Sequence, residues 1–342
     1  MNYKNFLFSF VFLLFLSSCG SHNDAAIKEA KVSDPAKLVL GDINKKIEAH
    51  PDNADLFDSR ARYYLLESQF ELALKDINKA VTLSPDNPTY YQTLSDVYLL
   101  MGKPTNSGDA LKKALSLDPK NNQTFLRMAK LNLIIKEYKT SMECIRKALD
   151  VEPVNPQAYF TKALVLLETG DTVKAVEDLK RAVNQKQEYF EALMELGELY
   201  SMKKDQMAAD YFKNALKIQP NSKEALYNLG MFFQETNQYE NAVKTYTTLS
   251  KIDTTFRNAP YNIGYIYLVY LKDFKKAVVY FTEALHKDPG YFEAYFNRGY
   301  AFELDGQFEN ARKDFQKTLA IKTNYQKAID GLNRLDKVKR KN

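Results

Sequence analysis

The 342-residue chain has no tryptophan, three histidines, two cysteines, 12 glycines and 11 prolines. With only Cys19 and Cys144, a disulfide framework is excluded. Cys144 has no His or second Cys near it in sequence, so it reads as small apolar packing rather than a reactive thiol. His22, His50 and His286 fall in a linker, a turn and a helix end, and none stands at ligand spacing from Cys or a carboxylate, which predicts no metal site. Scarce Gly and Pro beside 45% apolar content exclude a disordered chain and leave material for an extensive core. Charge of one sign is also lacking. Lys plus Arg is 48 against 43 acids, and the excess gathers at Lys337, Lys339, Arg340 and Lys341. A nucleic-acid partner needs a concentrated basic face, so none is expected, and the tail reads as a solvated helix end where cations suit the dipole. There is no glycine-rich phosphate loop, Gly-x-Ser-x-Gly elbow or His-Glu-x-x-His. Acid pairs such as Glu195 and Glu198 read as solvated helix residues. No catalytic set and no cofactor is expected.

What is present is repetition. Ala61, Ser95, Ala129, Ala163, Gly197, Gly230, Gly264 and Gly299 recur at intervals of 34, 34, 34, 34, 33, 34 and 35 residues. Two further ladders run beside them, Ala73 to Ala311 and Ala80 to Thr318. Such a period marks stacked units, none of which buries its apolar face alone. Within each unit the apolar positions fall on one face of each of two helices. The spacing and residue types resemble the tetratricopeptide repeat, with the first repeat's signature on Phe57, Arg60, Ala61, Tyr64, Ala73, Ile77, Ala80 and Pro85. The resemblance implies an all-α, right-handed solenoid of about eight repeats: 54–87, 88–121, 122–155, 156–189, 190–222, 223–256, 257–291 and 292–325. Capping helices are expected over 35–53 and 326–342, the second lined by Ile329, Leu332, Leu335 and Val338. Departures are few. Arg60, Lys162 and Arg298 replace an apolar residue at position 7, and Gln187, Thr254 and Thr323 replace the closing proline. Around Gly102 to Gly108 a looser turn is expected. Repeat five loses a residue near Lys203 to Gln206 and repeat seven gains one near Val269 to Lys272, both placed in turns.

The first 18 residues read as a signal peptide, because Lys4 precedes an apolar run from Phe6 to Leu16 that is too short to span a membrane. The run ends in Leu16-Ser17-Ser18-Cys19, which resembles the lipobox of bacterial lipoproteins. That resemblance implies lipid attachment at Cys19, a polar linker over 19–34, and tethering in the bacterial cell envelope. Gly20, where Asp would signal inner-membrane retention, points to the outer membrane facing the periplasm.

In the family resembled, the first helices line a concave groove. From repeat four onward that face carries Phe160, Met194, Tyr227, Met231, Tyr261, Tyr265, Phe296 and Tyr300, interleaved with Glu168, Glu191, Glu198, Glu224, Glu235, Glu293 and Glu303. Asn228, Asn262 and Asn297 resemble residues that hold a ligand's backbone in peptide-binding relatives. The same residue types are also common in the family pattern. The expected function is a non-catalytic scaffold or adaptor whose aromatic, acidic groove takes a segment of another envelope protein with basic and apolar residues. The alternative is a glycan- or ligand-binding lipoprotein, which the absence of tryptophan disfavours. Arg62 and Lys130 alone do not make the cationic clamp that would hold a C-terminal carboxylate.

Overall fold

A computed structural model describes residues 35–339, with side chains for 39–337. The expected signal peptide, Cys19, the linker and the end of the basic tail lie outside the described residues. Every regular element among the described residues is helical, and the chain divides into two compact units, Met1–Gln187 and Glu188–Asn342.

The first unit holds α1 (Pro35–Ala49), α2 (Ala54–Leu66), α3 (Phe70–Leu83), α4 (Pro88–Leu100), α5 (Pro104–Leu117), α6 (Asn122–Ile134), α7 (Tyr138–Val151), α8 (Pro156–Glu168) and α9 (Thr172–Gln185). The second holds α10 (Phe190–Ser201), α11 (Met207–Ile218), α12 (Lys223–Glu235), α13 (Tyr239–Ile252), α14 (Asn258–Ile266), α15 (Phe274–Lys287), α16 (Phe292–Leu304), α17 (Phe308–Ile321) and α18 (Gln326–Lys339). Each unit is an α-solenoid of paired helices, matching the expected fold class. Within a repeat the two helices pack on each other, and the second packs on the first helix of the next repeat. First helices also meet their successors, as α2, α4, α6 and α8 do in one unit and α10 and α12 in the other. Within each unit these helices share one face, and the face in the second unit carries the candidate site.

The three small-residue ladders are fully or almost fully buried where the helices cross. A hydrogen bond of 2.7 Å joins Ser95 to Ser107 across one crossing, and Ser141 donates to the Ala129 carbonyl at 2.8 Å across the next. The glycines of the second unit meet aromatic rings. A Cβ on Gly197 would stand 2.5 Å from Phe212, and one on Gly230 2.5 Å from Tyr246.

The eight turns within repeats share one device, a left-handed residue: Ser68, Gly102, Lys136, Gly170, Lys204, Asn237, Lys272 and Gly306. Such a residue closes the preceding helix by satisfying its last carbonyls. The turn of repeat two is not looser, contrary to expectation. The Lys103 N–H reaches the Tyr98 carbonyl at 2.8 Å, as Glu137 reaches Asn132 in repeat three, and Pro104 simply opens α5 at a position that needs no N–H. Repeat seven's extra residue is likewise not in the turn proper. It widens the end of the first helix into a π-helical stretch, Tyr267–Leu271, which absorbs an insertion without breaking the helix.

The basic residues at position 7 are explained by partners in the same repeat. Arg60 donates to both oxygens of Asp76 at 2.6 and 2.8 Å, Lys162 pairs with Asp178 at 2.8 Å, and Arg298 donates to both oxygens of Asp314 at 2.7 and 2.8 Å. The three aspartates are buried, where a carboxylate requires such a partner. At the ends, Ile47 of α1 joins the core of the first repeat. The C-terminal cap packs with a face shifted from the expected one, keeping Leu332 and Leu335 on the core. Ala328, Gly331 and Leu335 are its buried residues, and Phe315 fills the space that a side chain on Gly331 would take. Ile329 and Leu332 are half-buried, and the Val338 side chain lies outside the described residues.

Candidate functional site

The first-helix layer of the first unit is charged and internally paired. Arg62 donates to Asp58 at 2.7 Å within α2, and Arg127 of α6 reaches Asp96 of α4 at 3.1 Å. Gln92 donates to Asn121 and Thr124 at 2.9 and 2.8 Å, tying α4 to the start of α6. Phe160, expected on the exposed groove, is 3% exposed and belongs to the core.

In the second unit the layer is aromatic and acidic, but much of the aromatic stripe is spent on packing. Met194 is 0% exposed, so neither it nor Phe160 is displayed; both expectations of exposure are corrected. Tyr227, Tyr261 and Phe296 are half-buried. Each packs on the large ring of its own second helix and on a ring that precedes the next first helix. Tyr227 meets Tyr246 and Phe256, Tyr261 meets Phe281 and Tyr291, and Phe296 meets Phe315 and Tyr325, with centroids 4.8 to 6.2 Å apart. Such pairs prefer edge-on or tilted geometry and stabilise beyond their buried area. One turn further along, Met231 and Tyr265 are half-buried like those three, and Tyr300 is the open one at 36% exposed.

The three asparagines form a ladder between repeats. Asn228 donates to Glu198 at 2.9 Å, Asn262 lies 3.9 Å from the Met231 sulfur, and Asn297 donates to the Tyr261 hydroxyl at 2.8 Å. Each amide reaches the preceding first helix, as Arg127 does in the first unit. One donor of each is thus engaged within the solenoid.

The acids split into two groups. Glu303 is held by Arg334 through two bonds of 2.7 Å. Glu195, Glu198 and Glu224 have no such partner. Glu195, expected to be solvated, is 6% exposed. Its burial, with the charges of Glu198 and Glu224 added, pushes its carboxyl up to about 8. Burial and Glu224 push Glu198 up to about 7, against the lowering effect of the Asn228 hydrogen bond. Burial also raises Glu224. Sequence reasoning placed Glu198 and Glu224 on the groove but missed Glu195, although its position matches that of the three asparagines.

Among the described residues no group of His, Cys, Asp and Glu is arranged to hold a metal ion. Cys144 is buried, and that burial raises its thiol pKa, away from nucleophilic use.

Comparison with known proteins agrees with the fold. Three family models, each described as tetratricopeptide repeat, match residues 137–189 with 266–326, 211–244, and 88–121, together just over half of the chain. The human Tetratricopeptide repeat protein 6 is 32% identical over 114 residues, which is 33% of this chain and only 22% of that protein's length. A solved structure described as the functional characterisation of Pseudomonas aeruginosa pilF is 16% identical. It covers 58% of this chain and 91% of that one, with a TM-score of 0.50. The APC/C hetero-tetramer Cut9-Hcn1 is 16% identical as well, covering 95% of this chain and 62% of that one at a TM-score of 0.48.

Proposed function

The chain belongs to the tetratricopeptide-repeat family, and on that premise we propose that it is a lipid-anchored adaptor of the bacterial cell envelope. It binds a segment of another envelope protein along its first-helix face and carries out no chemistry of its own. One observation carries the binding reading: the second unit's first-helix face carries Tyr300, 36% exposed, together with Glu195, Glu198 and Glu224, which have no cationic partner among the described residues. Aromatic anchors supply contact area at low entropic cost, and unneutralised acids favour a segment with Lys or Arg. The anchoring half of the proposal rests on Leu16-Ser17-Ser18-Cys19 and the apolar run before it. Two or more acyl chains on Cys19 hold a protein stably at a membrane surface, where one chain would not. Gly20 favours the outer membrane, with the repeats in the periplasm.

Two experiments test the halves separately. Metabolic labelling with radioactive palmitate is expected to mark the wild type and not Cys19→Ser; label on both would remove the anchor. Recovery of partners from solubilised envelope is expected to fall for Tyr265→Ala with Tyr300→Ala. These positions are preferred to Tyr227, Tyr261 and Phe296, which pack between repeats. Equal recovery would sink the use of this face.

A further inference from the structure

Glu195 departs from a pattern its neighbours keep. It occupies the position on α10 that Asn228, Asn262 and Asn297 occupy on the next three first helices. Those three reach the preceding repeat; Glu195 has neither a hydrogen-bond donor nor a cation beside it among the described residues. At 6% exposure it is nonetheless buried. Buried polar groups are satisfied in the great majority of cases, and an unpaired buried charge is costly, so this one requires an explanation. The carboxylate is also not sealed off. The fully enclosed atoms without partners are Asp58 Oδ1, Thr93 Oγ1 and Asn122 Oδ1, and the oxygens of Glu195 are not among them. Glu198, one turn along α10, and Glu224, on α12, both act on it electrostatically. The charges that bear on this recess are those of its own acids. The nearest lysine in sequence to Glu224, Lys223, is occupied by Asp253 at 2.7 Å.

We propose that the recess formed by Glu195, Glu198 and Glu224 seats the cationic side chain of a lysine or arginine from a protein partner docked on this face. The inference rests on the adaptor reading above and adds a register to it, one basic residue at a fixed point of the bound segment. A side-chain cation fits better than a metal ion. The acids do not converge as metal ligands must, whereas an ammonium has three donors and a guanidinium five, spread widely enough to bridge carboxylates on two helices. Asn228 already holds one oxygen of Glu198, which fixes that carboxylate for an incoming donor. Entry of the cation favours the charged form of these raised carboxyls and gives them charge-assisted hydrogen bonds in place of mutual repulsion.

The test uses the full chain as bait for a phage-displayed library of random peptides, followed by synthesis of the retained peptides. Retained sequences are expected to share a Lys or Arg. Replacing it by norleucine is expected to weaken binding to the wild type at least tenfold, and to change binding to the Glu195→Gln, Glu198→Gln double variant far less. Glu224→Gln provides an independent second variant, and thermal melts establish that each is folded. Retained peptides without a basic residue would overturn the recess while leaving the face as a docking surface. So would norleucine replacements that weaken wild type and acid variants alike. If no peptide is retained, or if Tyr265→Ala with Tyr300→Ala leaves retention unchanged, the recess and the docking face fall together.

Discussion

Glycine stands at the eighth position of the last four first helices because of what lies opposite. Gly197, Gly230, Gly264 and Gly299 face Phe212, Tyr246, Phe281 and Phe315, while the first four repeats have Ala61, Ser95, Ala129 and Ala163 on the same rung and buried aliphatic residues, Ile77, Leu111, Ile145 and Leu179, at the positions of the rings. The pairs trade volume, as a close-packed interior demands. Gly197→Ala is therefore expected to cost ~1–3 kcal/mol of stability by overpacking, and adding Phe212→Leu should recover most of it. Denaturant melts of the three variants check this, and an additive double variant would show that the two sites do not share the space. Glu195 supports a second residue-scale prediction. Its folded value near 8 lies above the ordinary 4.5, so the native state binds more protons between those values and stability falls as pH rises through that window. Each unit of displacement corresponds to about 1.4 kcal/mol, with Glu198 and Glu224 titrating alongside. Glu195→Gln should melt with the wild type near pH 5 and at higher temperature near pH 8.5; parallel melting curves across that range would refute it.

At the scale of the helix pair, two rules hold the repeats in register. The left-handed residue that ends each first helix sets the turn, and its identity varies among Ser, Gly, Lys and Asn while the next N–H reaches the carbonyl five residues back, except in repeat seven, where the π-helical stretch makes Asp273 reach six back to Tyr267. The second helix ends two residues before the position of the closing proline whether or not proline is there. The N–H of Lys186, Asp253 and Lys322 bonds to Ala182, Leu249 and Thr318, as that of Ser84 does to Ala80. Proline marks this stop without causing it. The second rule is the pairing of a basic residue at position 7 with a buried aspartate 16 residues on, in repeats one, four and eight. Removing one partner of a buried pair strands the other charge, whereas replacing both by apolar residues need not destabilise. Asp314 is 5% exposed and the Arg298 side chain 18%. Arg298→Met is thus expected to cost about 2–4 kcal/mol, somewhat under the figure for a fully buried pair. Arg298→Met with Asp314→Leu should be the more stable of the two in calorimetry.

At the scale of the whole chain, the two units are built with different packing chemistry. The first uses Ala or Ser against aliphatic residues and starts its first helices on Asn53, Asn87, Asn121 and Asn155, whose side chains accept from the helix N–H groups. The second uses Gly against rings and, apart from Ser222, places Phe256, Tyr291 and Tyr325 before its later first helices. Each repeat leans on its neighbour, so the terminal helix is essential: α18 covers Phe315 and ties back through Arg334 to Glu303 and through Asp336 to Arg312. Deleting residues 326–342 should lower the melting temperature and raise binding of a hydrophobic dye, more than Arg334→Ala does, and equal effects would mean that the ion pair alone carries the cap. The sequence by itself determined the period and the helix pairs, because these depend on contacts within a repeat or with the next, and every unit repeats the same signal. The position-7 pairs were also legible, since each basic residue has its aspartate 16 residues later. Only the tertiary structure decided what the first-helix face offers a partner. Helical periodicity gives a side chain's direction from its own axis, whereas exposure depends on the volume that meets it across the seam between repeats. That is why Phe160 and Met194 are core, why the asparagine ladder bonds inward, and why Glu195 is the acid left buried without a partner.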